Sequence, residues 1–429
     1  MTDAPTFRAR AATRLGLADM GAALAFKSFR LYIATNCVSL IGLWVQRIAI
    51  QALAWQLTHS ATWLGIIALV DLAPALVFGP VAGAMADRFN RRRLTYITQC
   101  IAMAQAALLA GLTLAGFVDI WILFALTMAG GINTAFWGPV RQSIVPNMVP
   151  RPYLSTAVAM GALNFNLARF IGPALAGPVI VFANIGTAFA INAASYLAFL
   201  VALHWIEFPP GPHEQRAAGE KPPGSLFADT IDGITYVVRH KGIGPFLLLL
   251  SVGGMALRPL VELLAGFADR VHGQGMEGFA LLTLSMGAGA LLGAVWLTIV
   301  SSRVDHLRTV IWSGIAGGMA LILLALVPTF SFALFGVGLA AVALTVNGVS
   351  SQIMLQLAVP DAMRGRVLSL YQAIFRGTPA LGALIIGAVA DLTHFAWPLA
   401  GAGVIGMAVF GWTAARAPAM AVHFADRQT

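Results

Sequence analysis

Charge is what this sequence has least of. Only 10% of its 429 residues are Asp, Glu, Lys or Arg, 59% are hydrophobic, and the mean hydropathy is +0.82. A soluble domain carries about 25% charged residues, so the solvent for most of this surface must be lipid. Lysine is the scarcest cation: Lys27, Lys221 and Lys241 are the only three. None follows a Gly-x-x-x-x-Gly run, which excludes a phosphate-cradling loop and an ATP-driven pump in this chain. The two cysteines, Cys37 and Cys100, lie in apolar stretches without CxxC spacing and read as small core residues. Eight histidines are scattered with no HxxxH pair on any apolar stretch, so neither a metal site nor another cofactor is expected. No nucleophile–base pair suggests a membrane-embedded enzyme, and no filter-like repeat suggests a channel. Residues 2–24 are polar and basic without a leader-like cleavage pattern, so the first apolar segment is expected to remain in the protein.

What is present is a series of long apolar runs. A helix crosses the hydrocarbon with roughly 20 apolar residues. The runs predict spans at 29–54, 63–85, 94–115, 118–140, 153–182 and 184–206, then at 243–266, 277–300, 309–327, 331–357, 366–390 and 395–415. The basic residues give the orientation. With the N-terminus in the cytoplasm, 21 of the 26 Lys and Arg fall on that side and only Arg270 on the other. Arg47, Arg169, Arg258 and Arg376 remain within spans. This distribution accounts for the net charge of +9 and removes nucleic acid as the expected partner.

The spans divide six and six. Segment 1–28 is expected to be cytoplasmic, 29–206 one six-helix bundle, 207–242 a cytoplasmic linker, 243–415 the second bundle and 416–429 a cytoplasmic tail. Pro209, Pro210, Pro212, Pro222 and Pro223 mark the first part of the linker as loop. Phe227, Ile231, Ile234 and Val238 then share one helical face, with Ser225 placed to cap, predicting an amphipathic helix on the membrane surface. The halves echo each other weakly: Val149-Pro150 precedes the fifth span and Val359-Pro360 the eleventh. Parallel repeats of this kind build transporters that hold substrate between the halves.

After the second span the chain reads Gly83-Ala-Met-Ala-Asp87-Arg88-Phe-Asn-Arg91-Arg92-Arg93. This resembles the signature loop of the major facilitator superfamily at its expected place. Ser39-Leu-Ile-Gly42-Leu-Trp44-Val-Gln46-Arg47, Asn164 to Gly177 and Val359 to Val367 together resemble the enterobactin-exporter-like branch of bacterial efflux proteins. The resemblance implies an all-α membrane protein with twelve transmembrane helices in two pseudo-symmetric bundles. It implies a monomeric secondary transporter of the bacterial inner membrane, not an enzyme. Its expected role is export of a small organic molecule, siderophore- or drug-like, by alternating access, with proton antiport as a candidate coupling and membrane lipids as surroundings. Uptake and lipid flipping by the same fold, or a membrane enzyme or scaffold, are the alternatives.

The resemblance also assigns residues. Gly83, Asp87, Arg88, Arg91, Arg92 and Arg141 would form the inward gate, with Asp87 meeting Arg141 and the start of span eleven. Arg169, Gly172, Pro173 and Arg376 would lie at the interface between halves, where small residues let helices approach and slide. Asn36, Arg47 and Gln51 on span one share an arc of about 140° with Ser39 and Gln46 at 100° per residue, and a polar stripe in a lipid-spanning helix faces protein or a cavity. Asn133 and Trp137 on span four and Asn347 and Ser350 on span ten would join them along the substrate pathway. A charge at mid-membrane costs at least about 2.5–3.5 kcal/mol on insertion scales. Arg258 and Glu262, four residues apart, are therefore expected to pair. Arg47 and Asp71 each sit about 12 Å deep on antiparallel neighbours. Asp71 is then either a permanent partner of Arg47 or a proton-coupling residue, since a buried carboxylate that loses its cation favours its neutral form.

Overall fold

The computed structural model describes residues 19–88, 90–145, 148–207, 226–240, 242–327 and 329–425. Among them there is no strand. Six long helices form the first half: α1 (Lys27–Thr58), α2 (Ala61–Arg88), α3 (Arg91–Leu114), α4 (Ile120–Ile144), α5 (Leu154–Phe182) and α6 (Ile185–Leu203). A linker helix α7 (Leu226–Arg239) follows. The second half consists of α8 (Ile243–Leu257), α9 (Leu260–Gly266), α10 (Gly275–Val300), α11 (His306–Leu326), α12 (Phe330–Ala358), α13 (Asp361–Leu392) and α14 (Ala396–Ala425). Eleven stretches are long and apolar enough to cross a membrane, and α2 contributes a shorter apolar piece, Ala61–Ala75. Counting α2, the described residues hold the twelve spans of a multi-pass membrane protein.

Polar residues at the tips stop and start these helices. Asp119 accepts from Ile122 N at 2.7 Å, Asn184 from Thr187 N at 2.7 Å and Asp305 from Leu307 N at 2.9 Å, each satisfying an orphan donor of a first turn. His59 ends α1 in the left-handed conformation (φ 48°), turning the chain directly into α2. Large apolar side chains at the tips, such as Phe117 and Trp397, stay exposed, as aromatic residues do at a membrane–water interface.

The expected seventh span, 243–266, is in fact broken. Pro259 has no N–H to give to Met255 O, so the helix stops at Leu257 and restarts at Leu260. It then runs through a π-helical turn, Phe267–Val271. Gly382 of α13 fills the break: a Cβ there would lie 2.0 Å from Met255 O.

Within each half the helices pack in corresponding ways. In the first half α2 packs on α4, and α1 and α3 on α6. In the second, α8 and α11 pack on α14, and α10 on α12. Asn133 of α4 donates to Thr98 O of α3 at 3.0 Å, and Asn347 of α12 donates to Val310 O of α11 at 2.9 Å. The two asparagines are the same clamp in the two repeats.

The halves meet along two helix pairs, α2 with α13 and α5 with α10. At the first, a Cβ on Gly65 would lie 2.4 Å from Leu384 Cα, so the backbones touch and no larger residue fits. Both chain ends of the described region and α7 lie on one face of the bundle, the linker face. The α1–α2, α9–α10 and α13–α14 turns lie on the opposite face.

Candidate functional site

The opposite face holds a network that ties the halves together. Asp391, at the end of α13, accepts from Ala61 N at 3.0 Å, Thr62 N at 2.8 Å, Thr62 Oγ1 at 2.7 Å and Ser60 Oγ at 2.6 Å. It thus caps the start of α2 from the other half, where the helix dipole favours an anion. Its Oδ1 also takes the Arg270 guanidinium at 2.6 Å. Arg270 lies 5.2 Å from the Trp55 ring centroid, and Trp55 Nε1 donates to Asp269 Oδ2 at 2.9 Å. One turn deeper, Gln51 Nε2 donates to Glu262 Oε2 at 2.8 Å. Apart from Arg270–Asp391, which lies within the second half, each of these links joins the first half to the second.

Below this seal lies a cluster of arginines and aromatic rings. Arg47 of α1 pairs with Asp71 of α2, both side chains about a quarter accessible (25% and 24%). Arg47 also lies 5.0 Å from the Trp44 ring centroid. Arg169 of α5 lies between Trp44 at 6.0 Å and Phe375 of α13 at 5.1 Å. Arg258 stacks on Phe375 at 3.9 Å. Arg376 and Arg141 share the Phe165 ring at 5.7 and 4.8 Å, and Phe165 meets Trp44 edge to face at 6.2 Å. Arg169 and Arg376 therefore each reach across from one half to the other. Tyr371 Oη donates to Gly348 O at 2.9 Å, closing the cluster against α12.

The expected Arg258–Glu262 pair does not form. The Pro259 break removes the i, i+4 geometry it relied on, and the two side chains go separately to Phe375 and Gln51. Gly172 is likewise not at the interface between halves. A Cβ there would meet Trp44 Cβ at 2.3 Å, so this glycine seats α5 on α1 within the first half. Pro173 is buried beside it. Across the interface the close glycines are Gly177 against Ala280 and Gly287 against Ala174.

The pathway asparagines are also turned elsewhere. Asn133 and Asn347 are buried in the α3–α4 and α11–α12 clamps, and Ser350 is fully buried with no hydrogen-bond partner for its hydroxyl. Asn36 is buried in α1, and Trp137 packs edge-on against Phe199. Gln46 belongs to a buried network, donating to Gln105 Oε1 at 2.9 Å and accepting from Asn192 Nδ2 at 2.7 Å. Of the span-one stripe, only Arg47 and Gln51 reach the cluster.

On the linker face, the side chains of Gly83, Asp87, Arg88 and Arg91 lie outside the described residues. Arg92 is exposed, 5.9 Å from the Tyr96 ring. Arg141 is half-buried against Phe165, as above. The linker helix α7 packs on α13, with Asp232 3.7 Å from Arg366.

Sequence reasoning passed over Trp44, Phe165 and Phe375, because an aromatic residue in an apolar helix carries no mark of what it faces. It also passed over Asp391, one residue beyond the expected end of its span. Arg270, the lone basic residue expected on the opposite face, was the available signal for the seal.

Two six-span halves meeting along two helix pairs define the architecture of a major facilitator transporter. The family model described as transmembrane secretion effector matches residues 19–425, and the chain belongs to that family. It is 24% identical over 84% of its length to the staphyloferrin A transporter of Staphylococcus aureus, covering 89% of that protein. It is 22% identical to macrolide efflux protein A of Streptococcus pyogenes (83% and 88% covered) and 23% identical to the enterobactin exporter EntS of Escherichia coli (84% and 84%). Among solved structures, a variant of the peptide transporter POT superposes with a TM-score of 0.70 at 15% identity, over 92% of this chain and 95% of the other. The nucleoside transporter NupG gives 0.65 at 14% identity, over 93% and 99%. These two share the fold.

Proposed function

We propose that the protein exports a small organic molecule from the bacterial cytoplasm by alternating access, with the linker face and both termini on the cytoplasmic side. The carrying observation is the position of the seal: the hydrogen bonds between the halves, Asp391 with Ser60, Ala61 and Thr62, Trp55 with Asp269 and Gln51 with Glu262, lie at or near the opposite face, above a charged cluster built from both halves. A substrate seated in that cluster is then screened from the opposite face until Asp391 leaves the start of α2 and Gln51–Glu262 part. Relatives named as a macrolide efflux protein and an enterobactin exporter support export over uptake. The bundles 29–206 and 243–415 rock as units about the 207–242 linker, and the monomer is the working unit.

Proton antiport is the coupling we infer, with Asp71 as its carrier. Asp71 is the carboxylate paired with Arg47, and Arg376 and Glu262 lie within its electrostatic reach. In everted membrane vesicles, an imposed pH gradient should drive substrate accumulation, and Asp71→Asn should retain passive exchange but lose accumulation. Accumulation in right-side-out vesicles instead would reverse the direction, and undiminished pH-driven transport in Asp71→Asn would end the coupling role.

A further inference from the structure

The central cluster is out of electrical balance. Five guanidiniums, those of Arg47, Arg141, Arg169, Arg258 and Arg376, share it with two carboxylates, Asp71 and Glu262, an excess of three positive charges. Among the described residues, only Arg47 of these five has a carboxylate oxygen within 4.0 Å. The others are held by rings. A cation over a ring gains about 0.5–2 kcal/mol, less than the insertion cost of a mid-membrane charge. The imbalance therefore calls for a counter-charge that the described residues do not supply.

An aromatic ring accepts no conventional hydrogen bond, so these guanidiniums keep N–H donors for a fork-like pairing with a carboxylate. The four arginines without a carboxylate are half-buried rather than sealed. The Trp44 indole N–H is buried without an acceptor, a further unspent donor in the same cluster. Trp44, Phe165 and Phe375 supply flat apolar walls between the charges. The elements involved come from both halves, so whatever neutralises the cluster also couples to their relative position.

Resting on the export reading above, we propose that the central cluster binds an organic anion carrying two or more carboxylates on a planar or aromatic frame. A hydrophobic cation meets the wrong sign of charge there.

Calorimetric titration of the purified full-length protein in neutral detergent tests the proposal with three probes: phthalate, citrate and tetraphenylphosphonium. The two anions should bind saturably, phthalate the tighter because of its ring, and the cation at least about tenfold more weakly. Arg169→Gln and Arg376→Gln should each weaken anion binding about tenfold or more, the loss of one charge-assisted hydrogen bond. Arg169→Lys should recover part of it, and Arg303→Gln, on the exposed surface, should bind like the parent. Preference for the cation, no saturable anion binding, or parental anion affinity in a correctly folded Arg169→Gln would each overturn the proposal. Export of a cation in vesicles with no anion binding would sink this inference and leave export standing. Anion binding lost in Arg169→Gln, in a chain that moves nothing, would sink export and leave the site.

Discussion

The two charged regions of this molecule are solved in opposite ways. At the opposite-face seal every charge has its answer: Asp391 takes a guanidinium, two backbone N–H groups and two hydroxyls, and Asp269 takes an indole N–H. At the centre, about two helical turns deeper, four arginines rest against aromatic rings with no anionic partner among the described residues. A satisfied network costs nothing further and holds the halves shut. An unsatisfied one stores a demand that a ligand can meet. The comparison teaches that within one interface, closure and binding are separated by whether the chain completes its own electrostatics.

The largest way to break this comparison is at the one central pair that is complete. Asp71→Ala leaves Arg47 buried without its anion and should cost about 3 kcal/mol, the low end for a broken buried pair because both groups keep about a quarter of their accessibility. Denaturation in detergent measures it, and adding Arg47→Gln should restore most of the loss. A double variant no more stable than Asp71→Ala would mean the pair carries no such role.

Next comes the seal. Asp391→Ala removes both the cap of α2 and the partner of Arg270, and about 2 kcal/mol should be lost. The same variant should raise hydrogen exchange at Ala61 and Thr62. Trp55→Phe keeps the ring under Arg270 but deletes the Asp269 bond, costing about 1 kcal/mol in the same assay.

The smallest expected change of stability belongs to the centre. Arg169→Gln gives up two ring contacts and one costly buried charge, which offset, so stability should stay within about 1 kcal/mol while anion binding falls. A loss as large as that of Asp391→Ala would make Arg169 a staple between halves rather than a binding group.

Much of the fold was legible because lipid imposes simple rules: span length, basic residues gathered on one side, and a Pro-rich break between two sets of six. The Arg47–Asp71 contact was legible from depth alone, since antiparallel neighbours at equal depth can meet. The Arg258–Glu262 expectation failed because it assumed a continuous helix, and Pro259 lies between the two residues. The asparagines Asn133 and Asn347 were assigned to a pathway. Nothing in a sequence tells which neighbour an intramembrane amide faces, and here both face the preceding helix. The aromatic partners of the arginines were illegible for the same reason: rings that face lipid and rings that face cations have the same one-letter code.

Access to the central cluster from the two faces tests the account most directly. In a chain carrying Cys37→Ala, Cys100→Ala and Arg169→Cys, a membrane-impermeant thiosulfonate should react from the linker face and not from the opposite face. Adding Arg270→Gln and Asp391→Asn should open the second route, with labelling from the opposite face rising at least about tenfold, the worth of one lost charge-assisted contact. Labelling from the opposite face with the seal intact, or none from the linker face, would contradict the account.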